Sequence, residues 1–78
     1  MQAIEVTARF DPAGNVTPIG FVRDGKTYPV TETGRSWSEG SEFHVLCLAP
    51  GMGVCELVFR SDERRWYLAR PSAPVERV

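Results

Sequence analysis

The chain has no long apolar run, no block of like charge, one histidine and two cysteines. Each shortage removes a class of protein. No stretch approaches the roughly 20 apolar residues that a membrane helix needs. The first residues, Met1-Gln2-Ala3-Ile4-Glu5, have neither the basic region nor the apolar run of a signal peptide, so a cytoplasmic location is expected. Acidic and basic residues are interleaved, with a formal net charge of −1 over 78 residues. Such a chain has no overall pull on nucleic acid or anionic lipid, and any such binding would need a local patch. Two cysteines in a cytosolic chain read as thiols rather than as a disulfide. No segment of helix length keeps a 3.6-residue apolar period, which argues against a helical fold.

What is present is the punctuation of a β protein. Turn signals fall at 11–15, Asp24-Gly25, 34–40, 50–53 and 61–63, leaving about six runs of strand length between them. The first run, Ala3 to Phe10, sends Ile4, Val6, Ala8 and Phe10 one way and Glu5, Thr7 and Arg9 the other, the alternation of a half-buried strand. Asp24-Gly25 is a favoured type I′ pair, which sets Arg23 opposite Lys26, Phe21 opposite Tyr28 and Ile19 opposite Val30. Pro18 and Pro29 lack a ladder N–H and point to edges, strand ends or a bulge. Gly20, Gly34 and Gly40 are candidate bend or bulge sites.

A four-residue loop, Pro50 to Gly53, predicts Leu46 opposite Leu57, Leu48 opposite Cys55 and His44 opposite Phe59. The return after Asp62-Glu63 predicts Phe59 opposite Trp66 and Leu57 opposite Leu68. Leu46, Leu48, Leu57, Phe59, Trp66 and Leu68 are then the expected core. The expected fold is all-β: a small antiparallel six-stranded meander curled into a barrel or half-barrel, one domain over 1–70 followed by a tail over 71–78. A chain this short buries only about 60 % of the surface it exposes when unfolded, so its stability margin is thin.

The residues that could carry chemistry are few. His44, Cys47 and Cys55 match no usual zinc spacing, and the expected register sets the two cysteines on opposite faces, against both a shared metal and a disulfide. Ser36, Ser38 and Ser41 do not form a nucleophile elbow, and Gly51-Met52-Gly53 is not a phosphate loop. No cofactor and no catalytic residue are expected. A small metal protein or enzyme using His44 is the remaining chemical alternative.

The sheet face opposite the expected core is richer than background. It should carry Val45, Val58 and Tyr67 in one row and Phe43, Arg60 and Arg65 in the next. Apolar patches of this kind mark contact surfaces. Two aromatics beside two arginines could stack bases and hold phosphates, or the tail, the Trp37 loop or a second subunit could cover the face. Trp37, in a polar loop, either plugs a barrel end or is displayed to a partner.

Pro18-x-x-Phe21, Gly25-x-x-Tyr28-x-Val30, Trp37, Glu56-Leu57 and Trp66-x-Leu68-x-Arg70 together resemble an uncharacterised family of short bacterial β proteins. The resemblance spans about two thirds of the chain. It implies the fold above and no catalytic residues. The chain departs from the family pattern at Val22-Arg23, where a Trp-Arg pair is common. The expected function is that of a non-enzymatic binding module, for a protein partner or a second copy of itself. Single-stranded nucleic acid bound through Phe43, Tyr67, Arg60 and Arg65 is the alternative.

Overall fold

The computed structural model describes residues 1–70, and the expected tail over 71–78 lies outside them. Seven strands follow one another: β1 (Gln2–Phe10), β2 (Val16–Arg23), β3 (Lys26–Pro29), β4 (Glu32–Glu39), β5 (Glu42–Ala49), β6 (Gly53–Arg60) and β7 (Arg65–Arg70). All pairings are antiparallel, in the order β3-β2-β1-β7-β6-β5-β4. Every strand lies beside its chain neighbour except at β3 and β4, and the first strand closes on the last. The sheet is an up-and-down meander left open along one seam.

That seam forces the curl. Only Val30 and Thr31 separate β3 from β4, the two edge strands. Three Cα–Cα steps reach about 11 Å at most. Six strand spacings in a flat sheet would hold the edges roughly 29 Å apart. The sheet therefore curls into a half-barrel whose edges approach each other. The Val30 N–H donates to the Ile19 carbonyl (2.8 Å), and the Thr31 N–H donates to the Leu48 carbonyl (3.0 Å), so consecutive residues bind strands on either side of the opening.

The Asp24-Gly25 hairpin forms as its turn chemistry predicts. Both residues have positive φ, 51° and 78°, and Phe21 faces Tyr28 with the rings stacked at 5.4 Å. Ile19 does not join them. It is the extra residue of a bulge, since Thr7 pairs with Gly20 and Ala8 with Pro18, and it turns out to solvent at 51 % exposure. Phe10 is also exposed, though its ring edge meets Phe59 at 6.3 Å.

Two expectations are corrected. The segment 34–40 is not a loop: Glu32–Glu39 pairs with β5 as a seventh strand, with a bulge between Thr33 and Ser36. Its polar composition suits an edge strand that packs little, so ladder bonding to β5 decides its conformation. The second correction is the β5–β6 register. Pro50 and Gly51, with Gly51 at φ 93° and the Met52 N–H donating to the Ala49 carbonyl at 2.9 Å, make a type II turn. Gly53 is then already in the ladder opposite Ala49, and the loop has three residues instead of four. One residue of slip turns every β5 side chain over. Val45 pairs with Leu57, Phe43 with Phe59 and Cys47 with Cys55. The β6–β7 register is the expected one, with Phe59 opposite Trp66 and Leu57 opposite Leu68.

The core on the inner face is Phe21, Val45, Cys47, Ala49, Cys55, Leu57, Trp66 and Leu68. Leu46 and Val58 are buried too, but on the opposite face, so β5 is covered on both sides. This explains why its apolar run carries no alternation. Among the described residues no helix is long and apolar enough to cross a membrane.

Candidate functional site

Residues of β4 to β7 that alternate away from the core build the outer face. One row runs Trp37, His44, Val58, Tyr67, and the next runs Glu39, Glu42, Arg60, Arg65. Four of the six residues expected on this face stand there, Val58, Arg60, Arg65 and Tyr67, and Trp37, expected in a loop, joins them from β4. Phe43 and Val45 do not, because the register slip sends them to the core side. Val58 is fully buried in the row between His44 and Tyr67, so it supports the face without being displayed.

His44 takes the place that Phe43 and Val45 vacate. Its ring stacks on Trp37 at 5.0 Å with 7° between planes. Nδ1 lies 2.9 Å from Glu56 Oε2, and Nε2 lies 3.1 Å from Glu42 Oε1 and 3.5 Å from Glu39 Oε1. The ring is thus surrounded by three carboxylates, one each from β4, β5 and β6. The ring is nearly buried, and both nitrogens are engaged. Cys47 and Cys55 sit on the other face, so neither can share a ligand set with it. No group of three or more His, Cys, Asp or Glu among the described residues is arranged to hold a metal ion.

Arg60 is similarly committed. Arg60 Nε donates to Glu42 Oε2 (2.9 Å), its Nη1 lies 3.4 Å from Glu63 Oε2, and its guanidinium covers the Tyr67 ring at 5.0 Å. The Tyr67 hydroxyl donates to Glu63 Oε1 at 2.6 Å. That hydrogen bond holds the Glu63 carboxyl below its ordinary value and raises the Tyr67 phenol. Arg35 lies over the Trp37 ring at 5.6 Å. The surface is thus an aromatic stripe threaded by carboxylates, with one arginine over each end.

On the inner face Cys47 and Cys55 stand directly opposite each other, correcting the expectation that they point apart. Both are thiols with almost no exposure. Burial pushes the Cys47 thiol up to about 12, and the neighbouring Cys55 adds to the shift. Burial also raises Cys55. Ellman's reagent at pH 8 should therefore find no reactive thiol in the native protein and two after guanidinium is added; prompt native reaction would place the pair outside the core. The Cys47 contribution to stability is complete below the ordinary value of 9.0 and is lost as pH rises from there towards about 12, because the unfolded chain loses its proton first.

Sequence reasoning missed His44, Glu39, Glu42 and Arg35 as members of this face. One signal could have found the first. In the run Phe43 to Ala49 the only polar side chain is His44, and a Pro-Gly type II turn closes a shorter loop than four residues. No protein-family model, curated protein or solved structure matches the chain.

Proposed function

We propose that the chain is a non-enzymatic module that binds a protein through the outer face of β4–β7, and that the partner segment is basic. The observation that carries this reading is the carboxylate set of Glu39, Glu42, Glu56 and Glu63 interleaved with the Trp37–His44–Tyr67 stripe. Aromatic rings give contact area at low entropic cost, and the acids favour lysine and arginine side chains. A phosphate backbone would meet those same carboxylates, with Arg60 already bound to two of them. A reducing, cytoplasmic setting belongs to the same proposal, since the opposed cysteines are thiols.

Amide-shift titrations with oligoarginine and with a short oligothymidylate, each at low and high salt, test it. Oligoarginine should shift amides of β4–β7 at low salt, Trp37→Ala should abolish the shifts, and oligothymidylate should leave the spectrum unchanged. Salt-sensitive shifts at Trp37, Arg60 and Tyr67 with oligothymidylate would overturn the reading in favour of single-stranded nucleic acid. Silence with both ligands would overturn it as well.

A further inference from the structure

A second surface lies along β1 and meets the outer face of β4–β7 at Arg65. β1 pairs with β7 only at Gln2, Ala3 and Ile4, whereas it pairs with β2 from Glu5 to Phe10. From Glu5 onward its other edge has no ladder partner among the described residues. A cleft of about 550 Å³ opens there, lined by Ile4, Glu5, Val6, Arg64, Arg65 and Trp66.

An unpaired edge invites another strand, and proteins usually blunt such edges. The other two edges of this sheet are blunted. β3 has four residues and carries Lys26 and Pro29, while β4 is broken by a bulge. The open half of β1 has neither device: the bulge opposite it belongs to β2. Its side chains alternate without interruption, with Glu5, Thr7 and Arg9 exposed and Val6 and Ala8 half-buried.

The Glu5 and Arg9 side chains make no hydrogen bond or close ion pair among the described residues, the opposite charge felt by Arg9 being that of Asp11, and their spacing makes the edge complementary to itself. In an antiparallel pair of identical strands that continues the sheet, residues of like orientation must face each other, so the two-fold axis passes through a residue. An axis at Glu5 sets two carboxylates together, and one at Arg9 sets two guanidiniums together. An axis at Thr7 sets Glu5 opposite the second copy's Arg9, on both sides, and Val6 opposite its Ala8. The new ladder ends at Glu5, because Ile4 already pairs with Trp66, and Phe10, 58 % exposed, is carried just past it to the second copy's cleft.

We infer that the protein forms a two-fold homodimer in which β1 pairs with β1 of a second copy about Thr7. The two half-barrels then share a continuous ladder, and Phe10 of each fills the other's cleft.

Sedimentation velocity over a range of concentrations tests this with a charge swap. The native chain should sediment as a dimer that dissociates on dilution. Glu5→Arg and Arg9→Glu should each give monomer at concentrations where the native chain is dimeric. The double variant E5R/R9E should be dimeric again, and so should an equimolar mixture of the two single variants, since one then carries two positive and the other two negative positions. Both substitutions sit on exposed strand positions, and an unchanged near-ultraviolet spectrum confirms the fold of each variant. A native chain that is monomeric at all concentrations overturns the inference. So do single variants that stay dimeric, or a double variant and a mixture that stay monomeric.

Discussion

Phe21→Ala should lower the stability of the protein by about 3–5 kcal/mol, the usual cost of emptying a fully buried aromatic site. Phe21 is 1 % exposed, stacks on Tyr28 and belongs to the same cluster as Leu57, Trp66 and Leu68. It is the sole core-cluster member contributed by β1, β2 and β3, the other seven coming from β5, β6 and β7. Truncating it therefore loosens the grip of one limb of the half-barrel on the other. A chain of this length has roughly 4–12 kcal/mol of stability in all, so the loss takes a large share of it. Urea denaturation measures the effect. Ile19→Ala is the comparison: it removes an aliphatic side chain from the same strand at 51 % exposure and should change stability by no more than about 0.5 kcal/mol. Equal effects of the two substitutions would mean that β2 does not present Phe21 to the core.

The second large effect is expected at the turn that sets the β5–β6 register. Gly51 has φ 93°, where a β-branched residue is strongly disfavoured, and a Cβ at this position would already touch the Tyr28 ring at 3.8 Å. Gly51→Val should cost about 2 kcal/mol or more. Pro50→Ala keeps the turn geometry accessible and should cost under about 1 kcal/mol, through the greater freedom of the unfolded chain. Denaturation midpoints give the energies. Cross-strand Hα contacts between Cys47 and Cys55 report whether the register survives in each variant. If Gly51→Val matched Pro50→Ala, the positive φ would not be what holds the loop at three residues.

The same turn explains which parts of the candidate site could be read in advance. Tyr67, Arg60, Arg65 and Val58 were legible because the β6–β7 return has one register that pairs Phe59 with Trp66 and Leu57 with Leu68, and alternation then sends the others outward. Trp37 was visible as a residue to be explained, but its polar neighbours hid the strand that carries it. His44 and Glu42 were hidden by β5. A run that is apolar on both faces has no internal phase, so a loop assigned one residue too long turned it over with nothing in the run to object. The cage around His44 draws on Glu39, Glu42 and Glu56, from three strands. No spacing along one strand could announce it.

Sequence alone determined that the chain is all-β, that β1 is half-buried, that Asp24-Gly25 makes a two-residue hairpin, and that Leu57, Phe59, Trp66 and Leu68 share a face. These properties are local, set by backbone sterics at the turns and by a period of two along each strand. Tertiary structure decided that β1 closes on β7, that the opening lies between β3 and β4, and which face of β5 meets the core. Those depend on the total curl of the sheet and on how a doubly covered strand fits between two neighbours, quantities that exist only once all seven strands are in contact.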